Sequence, residues 1–199
     1  MCRVRGGILF LRDRQLRSVR HEITDTTGNG ELLPIVTIEE MLDIIKDHEK
    51  LFIELKGATA DRQMADDIVR IVREKDCTDD VVLISLAYDV IDYAETAYPE
   101  FETGTLFFAG IGNVAKLNCD LLIMEEEMAS EARIRQIHNA GKQAVVWTVN
   151  TEESMNNFLD SEVDGIITDE IELAERVQEE LYARTEFEEL EAQLGEFWK

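Results

Sequence analysis

Apolar runs that end in polar residues alternate along this chain with segments of helical period. Leu51-Phe52-Ile53-Glu54-Leu55-Lys56 carries a carboxylate and an ammonium at its end. Val81 to Ser85 is a β-branched run that reads as a buried strand. Thr103–Phe108 and Asp120–Met124 are shorter strand candidates, and 143–149 and Asp164–Asp169 complete a set of six. Between them, Thr37-x-x-Glu40 is a capping box that opens a helix through Met41, Leu42, Ile44 and Ile45. Met64, Ile68, Ile71 and Val72 share one helical face, and residues 88–98 predict the next helix. Ala129–Ala140 predicts a helix closed by Gly141, and Asn150-x-x-Glu153 reads as a second capping box.

Nearly all-apolar strands alternating with helices indicate a parallel sheet covered on both faces. The fold class expected is therefore α/β, an incomplete (β/α)8 barrel keeping about six parallel strands over residues 37–172. A complete barrel typically takes roughly 250 residues, so the chain looks two units short. Residues 1–36 form a separate region, with strand-like Ile8–Leu11, a basic stretch Arg12–Arg20 and turn chemistry at Thr26–Gly30. Residues 173–199 form an acidic helical tail, in which Leu173, Val177 and Leu181 make an apolar stripe.

Charge narrows the range of partners. The 199 residues carry a formal net charge of -23, which repels phosphate backbones and argues against nucleic acid. No apolar run approaches the ~20 residues that span a bilayer, and Ile8–Leu11 is too short for a signal-peptide core. Cys2, Cys77 and Cys119 are odd in number and far apart, which reads as reduced thiols of a cytoplasmic protein. In a parallel barrel, chemistry sits at the carboxyl ends of the strands. Glu54 and Lys56 have the same parity and so face one side. Without further information they also read as an ordinary ion pair, Trp147 as core, and Glu125-Glu126-Glu127 as a solvated run. His48 and His138 read as satisfied surface histidines, and Arg12, Arg14, Arg17 and Arg20 as a solvated segment.

Ile35–Leu42, Phe52-Ile53-Glu54-Leu55-Lys56, Ser85-Leu86, Val146–Asn150 and Val163–Asp169 occur in that order. The series resembles the glycerophosphodiester phosphodiesterase family over residues 35–172, most closely its bacterial branch often fused to a membrane domain. The resemblance implies a (β/α)8 barrel that hydrolyses glycerophosphodiesters to glycerol 3-phosphate and an alcohol, with a divalent cation such as Mg or Ca. It implies that Glu54 binds the metal, that Lys56 is the catalytic cation neutralising the phosphate, and that Trp147 lines the substrate's glycerol pocket. The family's opening His-Arg-Gly strand and Glu-x-Asp metal pair have no counterpart here. Its second histidine, in a His-Asp pair, is matched by Arg12-Asp13 in one register and by His21-Glu22 in another. The expectation is thus an N-terminally truncated member, with a weakly bound or lost cation and weak or absent hydrolysis. The alternative is a non-catalytic phosphate-binding module or a gene fragment. The expected ligand is a small glycerophosphodiester or phosphate, and the open barrel edges suggest a homodimer.

Overall fold

In the computed structural model, which describes residues 22–24, 32–34, 36–57, 60–108, 110 and 112–197, the apolar runs are strands and the helical-period segments are helices. The first described elements are β1 (Glu22–Thr24) and β2 (Leu32–Pro34), an antiparallel pair with Ile23 opposite Leu33. Ile8–Leu11, the basic stretch Arg12–Arg20, and with it Arg12, Asp13 and His21, lie outside the described residues.

Six parallel strands follow: β3 (Leu51–Glu54), β4 (Val81–Ser85), β5 (Glu102–Phe107), β6 (Leu121–Glu125), β7 (Gln143–Trp147) and β8 (Gly165–Ile166). They form one six-stranded sheet in chain order. Chain-order parallel pairing with intervening helices is the (β/α) barrel repeat, here as an open sheet of six strands. The helices are α1 (Ile38–Ile45), α2 (Arg62–Lys75), α3 (Tyr88–Ala97), α4 (Glu131–Asn139), α5 (Glu152–Leu159) and α6 (Ile171–Phe197). Contacts divide the chain at Thr103–Gly104 into two compact units.

In the N-terminal unit the expected capping box forms. Thr37 N–H donates to Glu40 Oε2 at 2.9 Å and Glu40 N–H to Thr37 Oγ1 at 3.2 Å. It starts α1, whose Leu42 is fully buried. β3 alternates: Leu51 and Ile53 are buried, Phe52 and Glu54 only partly so. β4 is buried at all five positions, as its unbroken apolar run requires. Asp61 caps α2 by accepting the Met64 N–H at 2.9 Å, and the helix turns Met64, Ala65, Ile68, Val69 and Val72 into the core. Between α2 and α3, Asp66 Oδ1 accepts from the hydroxyls of Tyr93 at 2.8 Å and of Tyr98, just past α3, at 2.7 Å. The guanidinium carbons of Arg62 and Arg73 lie 5.0 Å from the centroids of those two rings, within cation–π range. The carboxylate bond, followed by burial, pushes the Tyr98 phenol above its ordinary range.

In the C-terminal unit β6 and β7 supply the core with Leu121 to Met124 and Ala144 to Val146, against Ile134 and Ile137 of α4, Met155 of α5 and Val177 of α6. Gly141 follows α4 with φ +73, the left-handed position that favours glycine. α5 departs from the sequence reading. Its cap is Thr151, whose hydroxyl accepts the Ser154 N–H at 3.2 Å. Asn150 is one residue too early, and its side chain turns instead toward β8. That last strand is also shorter than the run Asp164–Asp169, with only two residues in the ladder. Asp164 fixes its start: the backbone N–H of Asp164 donates to Ala144 O at 2.9 Å, and its Oδ2 accepts the Ala144 N–H at 2.7 Å. His138 Nε2 is 2.8 Å from the same oxygen. α6 meets α5 through Arg176–Glu152 and Arg184–Asp160, at 2.8 and 3.2 Å. Among the described residues no helix is long and apolar enough to cross a membrane.

Candidate active site

Glu54 is the last residue of β3, and Lys56 stands two residues on. Their shared parity brings the side chains to one side, with Lys56 Nζ 3.5 Å from Glu54 Oε2. The pair is unevenly placed: the Glu54 side chain is 29% exposed and that of Lys56 70%. The carboxylate is therefore held while the ammonium remains free to meet an anion from solvent. The backbone beneath them is locked by Ser85, a strand end that the sequence also placed in the family-like series. Ser85, fully buried, donates from Oγ to Leu55 O at 2.6 Å and accepts the Ala87 N–H at 3.0 Å. Leu55 N–H also donates to Ile84 O at 2.8 Å. A serine at the end of an apolar strand is the one signal in the sequence that could have pointed to this lock, since a buried hydroxyl needs partners.

In the C-terminal unit, Trp147 ends β7 in register with Glu125, which ends β6. Both line an open cleft of about 660 Å³ with Glu126, Glu127, Thr148, Ser154, Asn157 and Phe158. Ser154 Oγ donates to the Glu126 carboxylate. The Trp147 Nε1 atom is buried without a hydrogen-bond partner. Among the described residues the wall of this cleft carries three carboxylates and no cation, which favours hydroxyl or positively charged groups over a phosphate. Beyond Trp147 the chain is fastened to β8. Val149 N–H donates to Ile167 O at 2.9 Å. Asn150 Oδ1 accepts from Thr168 Oγ1 at 3.0 Å and from the Asp169 N–H at 2.9 Å, while Asn150 Nδ2 donates to Asp169 Oδ2 at 3.0 Å.

Each expected site residue that is described thus sits at or just beyond the carboxyl end of a strand, the position at which parallel α/β barrels carry chemistry. The structure brings Glu54 to Lys56, and Trp147 to the Glu125–Glu127 run. The model of the Glycerophosphoryl diester phosphodiesterase family matches residues 8–173. The chain belongs to this family. A Mycobacterium tuberculosis protein named "Probable glycerophosphodiester phosphodiesterase 2" is 46% identical over 57 residues, which are 29% of this chain and 20% of that protein. A solved family structure from Silicibacter pomeroyi shares the fold with a TM-score of 0.70 at 20% identity, covering 77% of this chain and 59% of that one. A glycerophosphodiester phosphodiesterase from Parabacteroides distasonis gives 0.65 at 25% identity, over 79% of this chain and 68% of that one. A phosphodiesterase from Oleispira antarctica, solved with the product sn-glycerol-3-phosphate, gives 0.65 at 18% identity, over 72% and 61%. The chain spans about three fifths of the first of these structures and a fifth of the curated relative.

Membership of this family implies a divalent cation. Mg or Ca takes six or more oxygens, several of them carboxylate. Among the described residues no three His, Cys, Asp or Glu side chains converge as a metal site, and Glu54 is paired with the Lys56 ammonium. The described residues do not by themselves make a full oxygen site for a divalent cation.

Proposed function

We propose that this chain is a glycerophosphodiester phosphodiesterase-type domain that binds glycerophosphate esters, with hydrolysis to glycerol 3-phosphate and an alcohol weak or lost. Lys56 meets the phosphate, and Trp147 meets the glycerol. The observation that carries the reading is the Glu54–Lys56 pair at the carboxyl end of β3 in a family member, with the ammonium 70% exposed. A phosphodiester gathers negative charge on its oxygens as water attacks phosphorus and the alcohol leaves, and an ammonium beside them stabilises that charge. Glu54 is proposed as a remnant metal ligand whose cation, Mg or Ca, is bound weakly or lost. It keeps Lys56 oriented in the absence of a full oxygen set. Arg12, Asp13 and His21 are proposed as remnants of the family's acid/base segment. A second reading, a non-catalytic phosphate-binding module, is favoured by the lack of a metal-type cluster among the described residues.

The deciding experiment follows glycerophosphoethanolamine by phosphorus NMR with Mg or Ca present. Loss of a positioned acid or base costs about 10²–10⁴-fold, so turnover falls well below the ~10 s⁻¹ of an ordinary enzyme. Turnover near that value refutes the weak-enzyme reading. Glu54→Gln and Lys56→Met abolish whatever rate is found, and unchanged rates refute their roles. Glycerol 3-phosphate binding without any turnover selects the binding module.

A further inference from the structure

We infer that Asn150 is a positioning residue for Trp147, acting as a side-chain clasp that fixes the end of β7 against the end of β8. The inference rests on the proposed role of Trp147 in meeting glycerol.

Trp147 is the last ladder residue of β7, and the two residues after it belong to no strand. On the β6 side its backbone is in register with Glu125. On the β8 side the attachments bracket it. Ile167 N–H donates to Val146 O at 2.7 Å just before it, and Val149 N–H donates to Ile167 O at 2.9 Å just after. The β8 ladder itself is two residues long, so these backbone bonds alone hold little length of chain. The Asn150 carboxamide adds the rest, using both its functions. Its oxygen takes two donors, Thr168 Oγ1 and the Asp169 N–H, and its Nδ2 reaches Asp169 Oδ2. Thr168 Oγ1 in turn accepts the Glu170 N–H at 3.0 Å, at the entry to α6. Asn150 is itself exposed, so the clasp is not needed to satisfy a buried group. Only an amide serves this geometry. Asp at 150 loses the donor and sets two carboxylates face to face, and Leu or Ala loses all three bonds.

The test uses the full chain carrying Trp198→Phe, which leaves Trp147 as the single tryptophan. Acrylamide quenching reports how Trp147 is held without any ligand. Titrations with sn-glycerol 3-phosphate and with inorganic phosphate report what that holding does. In Asn150→Asp, Trp147 becomes more quenchable and the affinity for glycerol 3-phosphate falls about tenfold, in the range by which residues acting through a network shift binding. The affinity for inorganic phosphate stays the same, so the ratio of the two changes, which a general loss of structure does not produce. The double variant Asn150→Asp with Asp169→Asn restores the complementary pair, and with it both readouts. Quenching equal to the parent in Asn150→Asp overturns the inference, as does equal weakening of both ligands. If Asn150→Asp does not fold, Asp169→Ala removes only the exposed end of the clasp and carries the same readouts with a smaller shift. Parent-like quenching there also overturns it. A parent protein that binds no glycerol 3-phosphate sinks the proposed function instead, and the quenching comparison still decides the role of Asn150.

Discussion

Replacing Ser85 with alanine tests whether the backbone under Glu54 and Lys56 is held by one hydroxyl. The side chain is fully buried and bridges Leu55 O and the Ala87 N–H at 2.6 and 3.0 Å. Ser85→Ala keeps Cβ, so almost no packing is lost and the cavity is the size of one oxygen. What is lost is one hydrogen bond donated and one accepted, each worth about 1 kcal/mol net, and up to about 3 kcal/mol where the stranded group stays buried. Leu55 is 1% exposed, so its carbonyl falls in the costly class, while Ala87 is partly exposed and regains water. The sum is about 2–4 kcal/mol. For a chain of this length about 1 kcal/mol moves the melting midpoint by about 2–4 °C, so the shift is roughly 4–16 °C. Urea unfolding followed by far-UV circular dichroism measures it, with the transition slope as a check that the unfolded state is unchanged. A loss under about 0.5 kcal/mol, the range of an ordinary surface substitution, refutes the lock.

Three other outcomes follow from the same structure. Tyr98→Phe lowers stability by about 1 kcal/mol at pH 7–9 through the lost bond to Asp66. Because the folded phenol titrates above its ordinary value of ~10, that contribution is intact below pH ~10 and is lost as pH rises toward the folded value. The gap between the two proteins in urea midpoint therefore narrows above pH ~10, and a constant gap to pH 11 contradicts the assignment. Thr151→Ala removes the cap of α5 and costs about 1 kcal/mol, whereas Asn150→Ala leaves the cap bond to Ser154 intact; equal helical losses in circular dichroism reverse that assignment. Among the described residues β3 and β8 each have a single ladder neighbour, and exposed edges pair; self-association in analytical ultracentrifugation strengthens as salt screens the charge of -23, and a monomer at every salt concentration excludes edge pairing.

The fold was legible because the local signals agreed. β4 coincides with the run Val81–Ser85, and α1 begins at its capping box. Parity placed Glu54 and Lys56 on one side of their strand, since period two settles which side each residue faces, while their roles came only from the resemblance of the run to a known family. The sequence misled at Asn150. Asn150-x-x-Glu153 and Thr151-x-x-Ser154 both offer a cap one residue apart, and the choice was made by Thr168 and Asp169, far along the chain, which claim the asparagine. The two-residue length of β8 was hidden for a related reason: Ile167 and Thr168 carry a strand's composition, but the ladder stops where the Asn150 clasp takes over. The carboxylate cleft at Trp147 was read as a solvated run because period and charge cannot show that Ser154, Asn157 and Phe158 of α5 line it too.

The Asp164 junction bears on the order in which the chain assembles. A two-residue strand has too short a ladder to choose its own register, and a slip of one residue turns every side chain to the opposite face. Register here is set at the start of the strand, where Asp164 exchanges bonds with both backbone groups of Ala144 and takes His138 from α4, with the Asn150 clasp at the other end. The Asp164 contacts require α4 and β7 to have met, so β8 takes this register only on a surface those elements supply. The amides of Gly165 and Ile166 then belong to the least protected part of the sheet, and the final strand exchanges with solvent by local opening long before the core formed by β6 and β7 does.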